Sequence, residues 1–337
     1  MDNQPYITTR GFRGLVIAAT LLALAVVILG AYTRLTDAGL GCPDWPGCYG
    51  KLFVIDEQHA QLLYPDIPLE KTKAMTEMGH RYLASTLGFF ILLLAGLAIY
   101  YRRVNKDYPF LLPLGLLILV IGQGLLGMWT VTLKLHPTVV MAHLLGGFTT
   151  LSLLALLLLR SYAPKIPTTT LYNTRWPCWA LLSLVILALQ IALGGWTSSN
   201  YAALACPDFP TCQQQWLPPL DVKKAFTLWH PLGPNFEGGL LDNAARVTIH
   251  LAHRLGALIT LLYFTGFIVL LWRATQEKLI RRVLIVLGFL LILQITLGIT
   301  NVVELLPLSI AVLHHAVAAL LLLTVVTLNY LLRHRRN

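Results

Sequence analysis

Eight stretches of about twenty mostly apolar residues recur along the chain, at Gly14–Thr33, Gly79–Tyr101, Pro109–Val131, Thr138–Arg160, Trp176–Ser198, His250–Trp272, Arg281–Val302 and Ser309–Leu332. Charged, Pro or Gly-rich residues bound each of them. A helix of about this length spans the hydrocarbon core of a bilayer. The runs are continuous and do not alternate, which excludes a membrane β-barrel. The pattern predicts an all-α integral membrane protein with eight transmembrane helices. No small-residue cleavage site closes the first run, so it reads as an uncleaved anchor.

Composition agrees with the pattern. Of 337 residues, 56% are hydrophobic and 12% charged, against about 25% charged in soluble domains. Mean hydropathy is +0.69. A soluble globular enzyme, a disordered chain and a coiled coil are excluded. The net charge of +10 by itself would suggest nucleic acid, but its distribution points elsewhere. With the N-terminus inside, 15 of the 25 basic and 3 of the 15 acidic residues fall on the inner side, giving +12 inside and −2 outside. This is the positive-inside pattern of a membrane protein. It predicts two cytoplasmic termini and external loops at Leu35–Met78 and Asn200–Ile249.

The external loops contain near-copies of one motif. LGCPDWPGC carries Cys42 and Cys48, and LACPDFPTC carries Cys206 and Cys212, at an offset of 164. The preceding helices match as ILGAYTR and ALGGWTS. MGHRYLAS at His80 matches LAHRLGAL at His253, and QGLLG at Gln123 matches QITLG at Gln294 at an offset of 171, which carries His143 onto His314. The chain reads as two parallel-repeat four-helix bundles, residues 1–165 and 166–337. Transporters also contain repeats, but they place broken helices and polar groups at the midplane, where these spans hold few charges.

His80, His143, His253 and His314 occupy matching places in the four even-numbered spans, within about two turns of the outer helix ends. A single such His commonly hydrogen-bonds to interfacial water. Four at equivalent positions point to function, because ionisable groups in a membrane are costly. Two imidazoles per half, with no carboxylate cluster or cysteine quartet beside them, suit axial ligation of haem within a four-helix bundle. Arg81 and Arg254 follow two of these histidines and are candidates for haem propionates or for snorkelling to headgroups. Gly79, Gly88, Gly146, Gly147 and Gly256 are candidates for admitting a ring, or for ordinary helix contacts. The halves differ at one place. Glu77 precedes His80 by three residues where His250 precedes His253, so each pair shares a helix face. Glu77 is either an interfacial acid or a proton-shuttling, charge-stabilising carboxylate.

Cys42–Cys48 and Cys206–Cys212 are expected to form disulfides on the oxidising outer side, as staples or as redox-active pairs; a zinc site lacks the spacing. Cys178 is assigned to packing. His59, His136, His230 and His334 have no repeat partner and receive no role, and His315 is expected to point away from His314.

Eight spans in two halves, the run Glu77–Met78–Gly79–His80–Arg81, a His in each even span and paired cysteines in the first and third outer loops together resemble the haem A synthase (Cox15/CtaA) family over essentially the whole chain. The resemblance implies oxidation of the C8 methyl of haem O to the formyl group of haem A through two hydroxylations. By position, His80 and His143, with Arg81, would flank the substrate haem. His253 and His314 would ligate a resident haem b, with Arg254 near a propionate, and Glu77 would be the catalytic carboxylate. The family often has His-Gln where this chain has His314–His315. The resemblance also implies a bacterial inner-membrane location and contact with haem O synthase and cytochrome oxidase assembly. Homo-oligomerisation is a further possibility. Two other classes fit the residues alone: a bis-histidine cytochrome b electron carrier, and a quinone-linked thiol oxidant built on the cysteine pairs.

Overall fold

The computed structural model describes residues 10–53, 56–162 and 175–333. Its helices in chain order are α1 (Arg10–Leu35), α2 (Glu57–Leu63), α3 (Lys71–Val104), α4 (Leu111–Thr132), α5 (Pro137–Tyr162), α6 (Trp176–Ser199), α7 (Val222–Ala225), α8 (Asn243–Ala274), α9 (Lys278–Val303) and α10 (Leu308–Arg333). Eight of these are long and apolar enough to cross a membrane, while α2 and α7 are short helices in the long loops between them. The protein is an all-helical, multi-pass membrane protein. The boundary at 165/166, with Lys165, and the terminal residues Asp2, His334, Arg335 and Arg336 lie outside the described residues.

Local chemistry sets the helix ends. Pro177 sits in the first turn of α6, where a missing N–H costs nothing. The Asp242 carboxylate accepts from the Ala245 N–H and caps α8. Two helices start earlier than the apolar pattern predicts: α3 at Lys71 instead of Gly79, and α8 at Asn243 instead of His250. Their added turns are more polar and bury against the loops. Ala74 packs with Cys42 and Cys48, and Val247 with Cys206 and Cys212.

Helices α1, α3, α4 and α5 close one ring of neighbours, and α6, α8, α9 and α10 close another. The two quartets meet where α5 packs on α6 and α10, and where α1 packs on α10. Leu151, Leu154 and Leu157 of α5 and Val325 and Leu328 of α10 are fully buried in the shared core. Asn329 of α10 adds a polar tie there, donating from Nδ2 to the Ala180 carbonyl of α6 at 2.6 Å. Uncommon left-handed backbone recurs at the offsets seen in the sequence. Asp37 and Tyr201 have φ of 49° and 52°, and the α4–α5 turn at Lys134–Leu135 is matched by the α9–α10 turn at Leu305–Leu306.

The loops over residues 36–70 and 200–242 and the α4–α5 turn gather at one end of the helices. The Phe236 N–H donates to the Lys134 carbonyl at 3.1 Å, and the Thr138 hydroxyl donates to the Leu228 carbonyl. His136 and His230 join this seam. Fully buried His136 receives the His230 backbone N–H on its Nε2 at 3.3 Å and packs against Trp229 and Phe236. They hold the second loop to the first quartet, which lack of a repeat partner could not reveal. Cys178, expected to pack, is exposed instead.

Candidate haem-binding cavity

A continuous cavity of about 1750 Å³ runs across both quartets, lined by His80, His143, His253, His314 and His315 together with Glu77, His250, Arg34, Arg81 and Arg254. The structure thus gathers every histidine the sequence assigned to a site. His80 and His143 lie with ring centroids 6.5 Å apart and planes at 81°. Two imidazoles that share one metal through bonds of about 2.0–2.1 Å have a similar centroid separation.

Each histidine rests on a glycine of a neighbouring helix. A Cβ built on Gly30 would stand 3.0 Å from His80 Cε1. The corresponding separations are 3.4 Å for Gly127 and His143, 3.2 Å for Gly194 and His253, and 3.2 Å for Gly298 and His314. These are not the glycines the sequence reading picked. A Cβ on Gly79 would meet nothing, Gly88 and Gly147 face valines, and Gly146 and Gly256 lie under the side chains of Gln123 and Gln190. The signal was nevertheless in the sequence, because Gly30, Gly127, Gly194 and Gly298 all belong to the motifs that align the halves.

The surroundings of the two pairs differ. In the second quartet Gln190 Nε2 lies 3.1 Å from His253 Nδ1, and Gln294 Nε2 lies 3.1 Å from His314 Nε2. In the first, Val26 stands where the offset would place a counterpart of Gln190, while Gln123 is the counterpart of Gln294 and sits against Gly146. His315 points away from His314 as expected, yet does not leave the cavity. It lines the cavity and meets Phe148 of α5 edge-on at 5.1 Å.

Glu77 is 4% exposed. Its carboxylate accepts from the Cys42 N–H at 2.8 Å and from Arg81 Nη2 at 2.5 Å. At the matching place His250, also 4% exposed, lies with Nδ1 3.1 Å from the Ala202 carbonyl. The cysteines close as expected, with S–S separations of 2.01 Å for Cys42–Cys48 and 2.00 Å for Cys206–Cys212.

Both arginines beside the histidines are engaged by the disulfide loops. Arg81 Nη1 donates to the carbonyls of Asp44 and Gly47, and Arg254 donates to those of Cys206, Asp208 and Thr211. Inside each loop an aspartate closes the turn. Asp44 accepts from the N–H groups of Tyr49 and Gly50, and Asp208 from those of Gln213 and Gln214. The Thr211 hydroxyl, followed by these backbone amides, holds the Asp208 carboxyl below its ordinary range.

Among the described residues no three His, Cys, Asp or Glu side chains cluster to hold a bare metal ion. A caged ion needs about four protein donors. A haem brings its own four in-plane nitrogens and asks the protein for axial ligands only. Paired imidazoles seated on glycines in a largely apolar cavity fit that demand. Fold and site together define a polytopic membrane protein with two histidine pairs suited to haem-type macrocycles.

The profile of the COX15-CtaA family, described as cytochrome oxidase assembly protein, matches residues 13–326. The chain is 50% identical over 321 residues to the haem A synthase of Shewanella oneidensis, covering 94% of this chain and 95% of that one. It is 29% identical over 331 residues to the haem A synthase of Beijerinckia indica subsp. indica, covering 90% and 87%, and 28% identical over 338 residues to that of Caulobacter vibrioides, covering 89% and 90%. The chain belongs to the COX15-CtaA family, whose similar members here are haem A synthases.

Proposed function

We propose that the protein makes haem A from haem O, oxidising the C8 methyl to a formyl group. A first hydroxylation gives the alcohol and a second gives a geminal diol, each removing two electrons from the carbon to an external oxidant and adding one oxygen atom from dioxygen or water; the diol then loses water to leave the aldehyde. The observation that carries the reading is the buried carboxylate of Glu77, three residues from His80, in the quartet where the rings of His80 and His143 lie 6.5 Å apart. The other quartet offers His250 at that place, so the halves divide into a reaction site and a non-reacting site.

His80 and His143 would hold the substrate haem, and His253 and His314 would hold a resident haem b, which when bound would supply single-electron transfer. Gln190 and Gln294 orient the second pair, the role of outer hydrogen bonds at metal-bound imidazoles. Glu77 moves a proton or balances positive charge at the reacting carbon. Arg81 holds the carboxylate in place and ties it to the loop that carries Cys42 and Cys48. Residues 1–165 and 166–337 are two copies of one four-helix unit, a reading supported by the recurrent backbone conformations and by the glycine under every site histidine. The protein lies in a bacterial inner membrane with both termini cytoplasmic, receives haem O from haem O synthase and delivers its product to cytochrome oxidase assembly.

The test is made in cells that produce haem O. Extraction and chromatography should show formyl haem only when this protein is present. Unchanged pigment in cells holding the haem-loaded protein would favour an electron carrier.

A further inference from the structure

Three cations line the cavity: Arg34, Arg81 and Arg254. The loops already engage two of them through backbone carbonyls. Arg34 stands elsewhere, on the seam between the quartets. Its Nη2 donates to the Ser198 carbonyl at 2.6 Å, and its guanidinium lies 4.0 Å from the centroid of the Tyr201 ring. Ser198 is the residue that the repeat offset of 164 pairs with Arg34, and Asp37 and Tyr201, which share a hydrogen bond of 3.2 Å, have the same relation. Residues related by the repeat touch one another only where the two copies meet, so Arg34 marks the midline of the cavity. The second copy has a serine at this place, and both halves therefore share one arginine.

The position relative to the histidines is fixed by helix geometry. Arg34 follows Gly30 by four residues and Ser198 follows Gly194 by four, so each lies on the same face as the glycine and about 6 Å nearer the outer end. Gly30 touches His80, and Gly194 touches His253. The Arg34 backbone thus lies one turn beyond the glycine under His80, and its partner Ser198 one turn beyond the glycine under His253. The Arg34 side chain is 16% exposed, and its one carboxylate contact, Asp37, is 3.4 Å away and 49% exposed. A half-solvated acid at that distance compensates the buried cation only in part.

We propose that Arg34 is the carboxylate anchor of the cavity and takes a propionate of a haem held by the histidines. This rests on the haem reading above. The planar fork of arginine matches a carboxylate, and Tyr201 behind it fixes the plane of the fork. The propionate comes either from the haem of the His80–His143 pair or from that of the His253–His314 pair.

The test titrates the purified, detergent-solubilised protein with haem and with haem dimethyl ester, followed by the Soret band. The wild type should prefer the free acid by about tenfold or more. Arg34→Gln should weaken the free acid by about that factor, leave the ester unchanged and so abolish the preference, while Arg34→Lys should keep part of it. Repeating the titration in His253→Ala and His80→Ala backgrounds assigns the propionate to one pair. Equal preference in wild type and Arg34→Gln overturns the proposal. So does a parallel loss of acid and ester binding with a lowered melting temperature, which would make Arg34 a tie between the quartets. Failure of the wild type to bind either porphyrin would instead overturn the haem reading itself.

Discussion

Glu77 makes two charge-assisted or backbone hydrogen bonds while buried beside a histidine, and that combination is costly unless used. Glu77→Gln keeps the size and the acceptor oxygen. It should retain both haem spectra and lower formyl-haem output by about a hundredfold or more, measured by chromatography of extracted haems. Loss of the haem b spectrum in this variant would refute the division of labour between the quartets. The glycines make a second residue-scale prediction. Gly298→Val sets a branched side chain against His314, so haem b content per protein should fall. Gly14→Val, at a position where a Cβ meets nothing, should leave it unchanged. The histidines and Glu77 were legible in the sequence because chemistry-bearing residues stand out in an apolar chain. The glycines beneath them were overlooked because many glycines occur in these helices, although only those that seat a ring recur as glycine in both copies of the repeat.

At the scale of elements, each disulfide loop is held three ways: by its Cys pair, by an aspartate closing the turn, and by an arginine from the neighbouring histidine-bearing helix. Cys206→Ser with Cys212→Ser removes a cross-link over a separation of six residues, worth about 2 kcal/mol by chain entropy. A lowered melting temperature with haem b retained is the expected result; loss of haem b would give the pair more than a structural part. The seam at His136 and His230 adds a pH dependence. Burial, followed by the neighbouring His136, lowers the pKa of His230 from its ordinary value of 6.5. A lowered folded-state value means that the unfolded chain protonates first, so stability is lost as pH falls below about 6.5. His230→Gln should flatten the fall of melting temperature between neutral and mildly acidic pH. The apolar runs located all eight spans but not the outer turns of α3 and α8, because those turns bury against loops instead of lipid and so carry no hydropathy signal.

Across the whole molecule, the two quartets share one cavity instead of enclosing two. The sequence implied one site in each half. Their joining on a seam marked by Arg34, Ser198 and Tyr201 followed only from the packing of α1, α5, α6 and α10. The apolar runs that predicted the eight spans act over long stretches, which is why they are legible in the sequence alone. A haem in each quartet, facing a common space, would bring an electron-passing group near a carbon to be oxidised. The most direct test of that account is the haem composition of cells that make haem O and express either this protein or its Glu77→Gln variant. The account predicts formyl haem with the wild type and haem O alone with the variant, both proteins carrying bound haem. Formyl haem in equal amounts from both, or from neither, would contradict it.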